Sequence, residues 1–170
     1  MVTTIRQVQA LSDDEKRSLF GWAPDPFGVA KLGLAWRPKE LHFLLEVGQH
    51  LVSHVGILDH EVRIGTRSVA LVGLGGVVTV PQAQGLGHAS TLIKRATDLA
   101  FDDWHVDAGL LFCLPRMLLY YERRGWTALK QAVIVDQPSG RIPAPLPAMV
   151  YPADRRAWFE GVLELGSAPW

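Results

Sequence analysis

"VPQAQGLGHAS", residues 80–90, holds Gly85 and Gly87 between an apolar run, Leu71–Val80, and a patterned run, Ala89–Ala100. In the patterned run Ala89, Leu92, Ile93, Ala96, Leu99 and Ala100 recur at steps of three and four, while Lys94, Arg95 and Asp98 fall on the other side. That spacing predicts an amphipathic helix. The apolar run reads as a strand. A strand that stops at a glycine-rich turn and feeds a helix brings free backbone amides and the positive helix end to one point, which suits a phosphate. Glycine lets an anion reach those amides, although the same two glycines also serve an ordinary strand-to-helix turn.

Two better-known phosphate loops fail on the residues. The triphosphate loop requires Lys and then Ser or Thr after its second glycine, and His88-Ala89 follows here. A dinucleotide fingerprint would need Gly73-Leu74-Gly75-Gly76 to open a helix, but those glycines precede the strand-forming Val77-Val78-Thr79-Val80.

Outward from this stretch, 170 residues with 48% hydrophobic and 20% charged composition fit one soluble domain. Lys plus Arg equals Asp plus Glu at 17 each, so no net field draws the chain to nucleic acid or an anionic membrane. The single Cys113 excludes an internal disulfide and a multi-cysteine zinc site, and no metal is expected. Met1–Gln9 lacks a charged-then-apolar signal pattern, and no apolar run approaches the roughly 20 residues of a membrane span, so a cytoplasmic location is expected.

The chain opens with a strand, Thr3–Val8, and then a helix ending near Phe20, announced by Ser12 and Glu15 as a capping box. From Gly21 to Pro38 aromatic residues and prolines alternate, either as a substrate-facing wall or as a loop pinned to the core. Strands are expected at Leu41–Val47, Leu51–Val62 and Val69–Val80, an antiparallel meander with turns at Gly48-Gln49 and Gly65-Thr66. After the helix come a strand, Ala108–Cys113, and a helix from Pro115 to Arg124 that Gly125 ends. Strands at Ala128–Val135 and Ala148–Tyr151 flank a stiff loop with Pro138, Pro143, Pro145 and Pro147.

Gln82-Ala83-Gln84-Gly85-Leu86-Gly87 resembles the Gln/Arg-x-x-Gly-x-Gly/Ala signature of the GNAT superfamily of acyl-CoA-dependent N-acyltransferases. Tyr120-Tyr121-Glu122-Arg123-Arg124-Gly125-Trp126 resembles that family's Tyr-x-x-x-Gly-Phe/Trp helix end, and the resemblance covers Leu41 to Trp126. It implies a mixed α/β (α+β) fold with a splayed central sheet of about six to seven strands and about four helices. It also implies acetyl-CoA, or another acyl-CoA, as donor. The pyrophosphate would lie on Gln82, Gln84, Gly85, Leu86, Gly87, His88, Ala89 and Ser90. The pantetheine arm would lie along Val78, Thr79 and Val80, with Val78 and Val80 supplying unpaired backbone groups and Gly75 and Gly76 near the bulge that starts the splay.

The implied chemistry needs a base, an oxyanion donor and an acid for the departing thiolate. Tyr121 stands at the family's position for the acid, with Tyr120 as its neighbour and competitor. The acidic residue that many relatives use as base falls at Gly75, which has no side chain, so Glu46, His54, His60 and His88 are the candidates, or the amine arrives partly deprotonated. Cys113, on an apolar strand without an adjacent His, reads as a packing residue. "LVSHVGILDHEVRIG" and "VALVGLGGVVTV" resemble strands of aminoglycoside 2′-N-acetyltransferases, as does the ending on Trp170, and they also resemble the nodulation N-acyltransferase. Both likenesses imply an amino-sugar acceptor, contacted by Trp22, Phe27, Trp36, Gly75, Gly76 and Trp170. Gly75, Ala168 and Pro143–Pro147 stand where the aminoglycoside enzymes place carboxylates, which favours a less charged amine. The fold is compatible with a homodimer, and with an acyl-CoA sensor that does no chemistry.

Overall fold

Three consecutive segments of β-branched and aliphatic residues form the centre of the sheet in the computed structural model, which describes residues 1–152 and 158–170. They are β2 (Leu41–Val47), β3 (His50–Ile64) and β4 (Arg67–Thr79), after an N-terminal β1 (Thr3–Val8) that pairs with β2. The meander turns at Gly48 and Gly65, both with left-handed backbone, φ +65° and +61°. β5 (Ala108–Phe112) then lies parallel to β4, with Leu71–Leu74 against Ala108–Leu111. The crossover between them is α2 (His88–Asp103), the length a parallel pair requires.

The remaining strands are β6 (Thr127–Ala128), β7 (Val133–Gln137), β8 (Gly140–Pro143), β9 (Ala148–Pro152) and β10 (Leu163–Glu164). The sheet runs β6-β9-β5-β4-β3-β10-β7-β8, and β2 also pairs with β3. The ten strands among the described residues exceed the expected six to seven for identifiable reasons. The single strand expected at Ala128–Val135 is two, on opposite sides of the sheet, and Gly140 at φ +124° folds β8 back onto β7 inside the expected proline loop. Pro143 sits on that edge strand, where its missing N–H leaves no ladder bond unmade.

Among the described residues three α-helices form, against an expected four or so: α1 (Asp13–Phe20), α2 and α3 (Leu118–Glu122). Ser12 and Glu15 make both bonds of the capping box on α1. The helix expected from Pro115 begins as a 3₁₀ turn, Pro115–Met117, and Gly125 at φ +90° follows its end. α2 buries Leu92, Ile93, Ala96 and Ala100 against Val55, Ile57, Val72, Leu74 and Leu111. Another part of the sheet packs Leu58, Leu71, Leu110 and Val150 with Val133, Leu163 and Trp170, and Leu19 of α1 covers Leu44 and Val78. Among the described residues no helix is long and apolar enough to cross a membrane.

Trp170 crosses the sheet over Gly73, and its indole N–H donates to the Leu110 carbonyl at 3.2 Å. A Cβ added at Gly73 would lie 2.7 Å from Cζ2 and Nε1 of that ring. Gly73→Ala is expected to overpack this contact and cost about 1–3 kcal/mol in urea unfolding.

Candidate active site

Pairing between β4 and β5 stops at Leu74 and Leu111, while β4 continues to Thr79. The register with β3 shifts in the same place: His54 faces Val78 and Gly56 faces Gly75, so β4 carries one extra residue. Gly76 sits in that bulge at φ +60°, a conformation costly for other residues. Its carbonyl accepts from His54 Nδ1 at 2.6 Å, which holds the bulge in place. Gly75 and Gly76 therefore stand where the splay begins.

The two diverging strands enclose a cavity of about 810 Å³. β4 from Leu74 to Thr79 lines one side and Phe112, Cys113 and Tyr121 another, with Trp22, Phe27 and Trp36 over it. Val80, expected to offer a free backbone group, instead donates its N–H to Val52 at 2.9 Å, is only 4% exposed and lies outside the cavity. By the two-residue alternation of a strand, Val78 also turns its backbone toward β3, and its carbonyl accepts from Ser53 Oγ at 2.9 Å. The amides facing the gap are those of Val77 and Thr79, on an edge that no strand pairs beyond Leu74.

At the end of β4 the chain turns through Gly85 and Gly87, at φ +79° and +82°, into α2. Nothing lies within 4 Å of a Cβ at either position, so these glycines serve the backbone turn and leave open space over it. The first helical bond runs from Thr91 to the Gly87 carbonyl, leaving the amides of His88, Ala89 and Ser90 without intrahelical acceptors. All three residues line the cavity, as do Gln84, Gly85 and Gly87. Gln84 ties the turn to β4 through its bond to the Thr79 carbonyl at 3.0 Å. Gln82 and Leu86 do not line the cavity, and Leu86 is 69% exposed. Arg124 adds a positive charge here that the motif spacing did not point to: its Nε donates to Ser90 Oγ at 2.7 Å and its guanidinium stacks 3.5 Å from the Tyr120 ring centre.

Tyr121 is buried between Tyr120 and Trp126 and faces the cavity. Burial pushes its pKa well above that of a free phenol, so the hydroxyl stays protonated. Cys113 is buried beside it, its thiol pushed up to about 11 by desolvation, which suits packing and not nucleophilic attack.

The expected bases fare differently. Glu46 lies outside the cavity, bonded to Arg6 Nε at 2.9 Å, and the same guanidinium holds Glu15. His60 is held at both nitrogens, by Arg37 at 2.7 Å and by the Leu165 carbonyl at 2.6 Å, and packs against Trp170. His54 donates to Gly76 through Nδ1, so its Nε2 accepts from His42 at 2.9 Å and has no free lone pair. None of these three reaches the cavity; His88 does, at the helix start. Trp170 lines the cavity although its indole is buried in the core beneath. A second charged group that sequence patterning missed is Lys39, a lone residue in the loop before β2 whose side chain enters the cavity wall beside Gly75. Among the described residues no cluster of His, Cys, Asp or Glu could hold a metal.

Burial, with the Gly76 bond opposing and His42 and Lys39 adding repulsion, depresses the His54 pKa from 6.5 to about 4. Below pH 6.5 the unfolded chain binds a proton that the native His54 refuses until near pH 4, so stability falls as pH drops through this window. The loss is expected to be on the order of 3 kcal/mol. Urea midpoints at pH 7.5 and 4.5 should differ more for the wild type than for His54→Gln.

Residues 30–129 match the model of the acetyltransferase (GNAT) domain family. A search of the curated proteins finds no match. Among solved structures the chain is similar to a GNAT family N-acetyltransferase (YhbS) from Escherichia coli in complex with CoA, at 16% identity and TM-score 0.61, covering 96% of this chain and 89% of that one. It is also similar to a GCN5-related N-acetyltransferase from Kribbella flavida, at 22% identity and TM-score 0.51, over 74% of this chain and 34% of that one. A third likeness is to N-acetylglutamate synthase from Neisseria gonorrhoeae complexed with coenzyme A and N-acetyl-glutamate, at 12% identity and TM-score 0.57, over 89% and 35%. The chain thus spans about a third of the length of the last two. These identities speak for the fold alone; the matched family model covers more than half of the chain, which belongs to the GNAT acetyltransferase domain family.

Proposed function

We propose that the protein is an acyl-CoA-dependent N-acetyltransferase that moves the acetyl group of acetyl-CoA to a primary amine of a small molecule by direct attack in a ternary complex. One observation carries this reading: a single cavity runs from the free amides at the start of α2, along the unpaired edge of β4, to the buried Tyr121. A pyrophosphate on the amides of Gly87–Ser90 meets the helix dipole and the Arg124 guanidinium. The pantetheine arm then completes the ladder that β4 lacks on this side, through Val77 and Thr79. Tyr121, held protonated by burial, donates its proton to the departing thiolate.

For the acceptor, no Asp or Glu among the described residues lines the cavity, which argues against a polycationic aminoglycoside. A neutral or weakly charged amino sugar, or another partly apolar amine, suits Trp22, Phe27 and Trp36, because aromatic faces bind such surfaces without ion pairing.

Calorimetric titration with acetyl-CoA, followed by thiol-release assays on a panel of amino sugars, aminoglycosides and simple amines, tests the reading. Binding with CoA release on one amine class is the expected result; no binding of any acyl-CoA overturns it. Tyr121→Phe should lower kcat by about 10²-fold with the Kd for CoA unchanged, whereas a sensor has no turnover to lose. Gly87→Asp faces the pyrophosphate with a carboxylate, so CoA affinity should fall at least about tenfold, whereas Gly87→Asn, which bears the same left-handed backbone cost without the charge, should lose less at a matched Tm.

A further inference from the structure

We propose, building on the acyl-transfer reading above, that Lys39 is the general base of this site and takes the proton from the acceptor ammonium. Its track across the sheet is cut by two glycines. Gly56 on β3 and Gly75 on β4 are cross-strand partners. A Cβ at Gly56 would come within 2.8 Å of Lys39 Cβ, and one at Gly75 would meet Lys39 Cε at 2.8 Å. The lysine stem thus lies over this glycine pair, and its end enters the cavity wall at the bulge, 3.9 Å from a Cβ at Gly76. Gly75 stands about where the family resemblance implies a base, and Lys39 Cε lies in the space that its missing side chain leaves.

The backbone aims the side chain. Arg37 donates to Pro169 at 2.7 Å on one side, Glu40 donates to Ile57 at 2.9 Å on the other, and Pro38 stiffens the segment between. Lys39 makes no ion pair with an Asp or Glu side chain of the described residues. Desolvation is the cause that lowers its pKa from 10.5, to about 8. An amine of that pKa is partly neutral near physiological pH and still basic enough to accept a proton, which is the compromise a general base requires. Among the described residues no other group at this end can serve: Tyr121 and Cys113 hold their protons, His54 is engaged at both nitrogens, and His88 belongs to the far end, at the helix start.

Neutral Lys39 takes one proton from the acceptor ammonium. The freed amine lone pair attacks the thioester carbonyl, the C–N bond forms, and the carbonyl electrons move to oxygen. On collapse the C–S bond breaks, Tyr121 protonates the thiolate, and the second nitrogen proton returns to the Tyr121 oxygen. Lys39 releases its proton to solvent, so one proton leaves per amide formed.

The test measures kcat and KM against pH for Lys39→Met and Lys39→Arg, with the best acceptor from the panel and acetyl-CoA, using Tm to confirm folding. In the wild type kcat should rise with pH through about 8 as Lys39 becomes neutral. Lys39→Met should lose this limb and about 10²-fold or more in kcat, with KM and the Kd for acetyl-CoA within about twofold. Lys39→Arg should be as slow, since a guanidinium keeps its proton. An active Lys39→Arg, or a raised KM at unchanged kcat, would make Lys39 an anchor for an anionic group of the acceptor and overturn the proposal. A second readout needs no acceptor: in ¹³C-lysine NMR spectra the resonance missing from Lys39→Met should titrate near pH 8, and a midpoint above about 10 overturns the proposal alone. A wild type that binds acetyl-CoA but releases no CoA with any amine overturns both readings.

Discussion

The single constraint on which the site depends is the loss of pairing between β4 and β5 after Leu74 and Leu111. A parallel pair that continued would have no cavity, and its backbone groups would already be satisfied. The bulge at Gly76 redirects β4, and the bond from His54 to the Gly76 carbonyl keeps the redirected strand in place. One buried histidine, itself fixed by His42, thereby maintains the opening. Burial keeps it neutral, and its bonds to Gly76 and His42 leave no lone pair with which to act as a base.

From that opening the remaining parts follow by geometry. The exposed edge of β4 leads to Gly85 and Gly87, whose left-handed backbone turns the chain into α2 with its first amides facing the same space. The aliphatic face of α2 packs on the sheet and sets the position of those amides. On the other side α3 carries Tyr121 between two aromatic neighbours, so its hydroxyl is dry and protonated. The site is thus built from backbone on one side and buried side chains on the other, with glycine wherever another element must come close.

Glycine plays two different parts here. Gly85 and Gly87 have nothing near them and are required for backbone conformation, whereas Gly56, Gly73 and Gly75 are required for space, under Lys39 and Trp170. A glycine in a strand looks the same in either case when read as sequence. Gly75 could be read as the loss of a catalytic carboxylate, but in three dimensions it is a gap that another side chain fills.

The sequence by itself determined the meander, α2 and the turn between β4 and α2, because these rest on short-range patterns: alternation, steps of three and four, and glycines at a strand-to-helix junction. It also marked Tyr121 and the bulge at Gly75-Gly76, through the motif and through glycine inside a strand. Only the tertiary structure decided which polar groups reach the cavity. Glu46 is held by Arg6, 40 residues away, and His60 by Leu165, 105 residues away, whereas Lys39 is bracketed by Pro169 and Ile57. The short strands β8, on an edge, and β10, inserted between β3 and β7, were equally hidden, since their pairing is made by partners and not by composition. A side chain's freedom to react depends on contacts between residues distant in the chain, and no local pattern records those contacts.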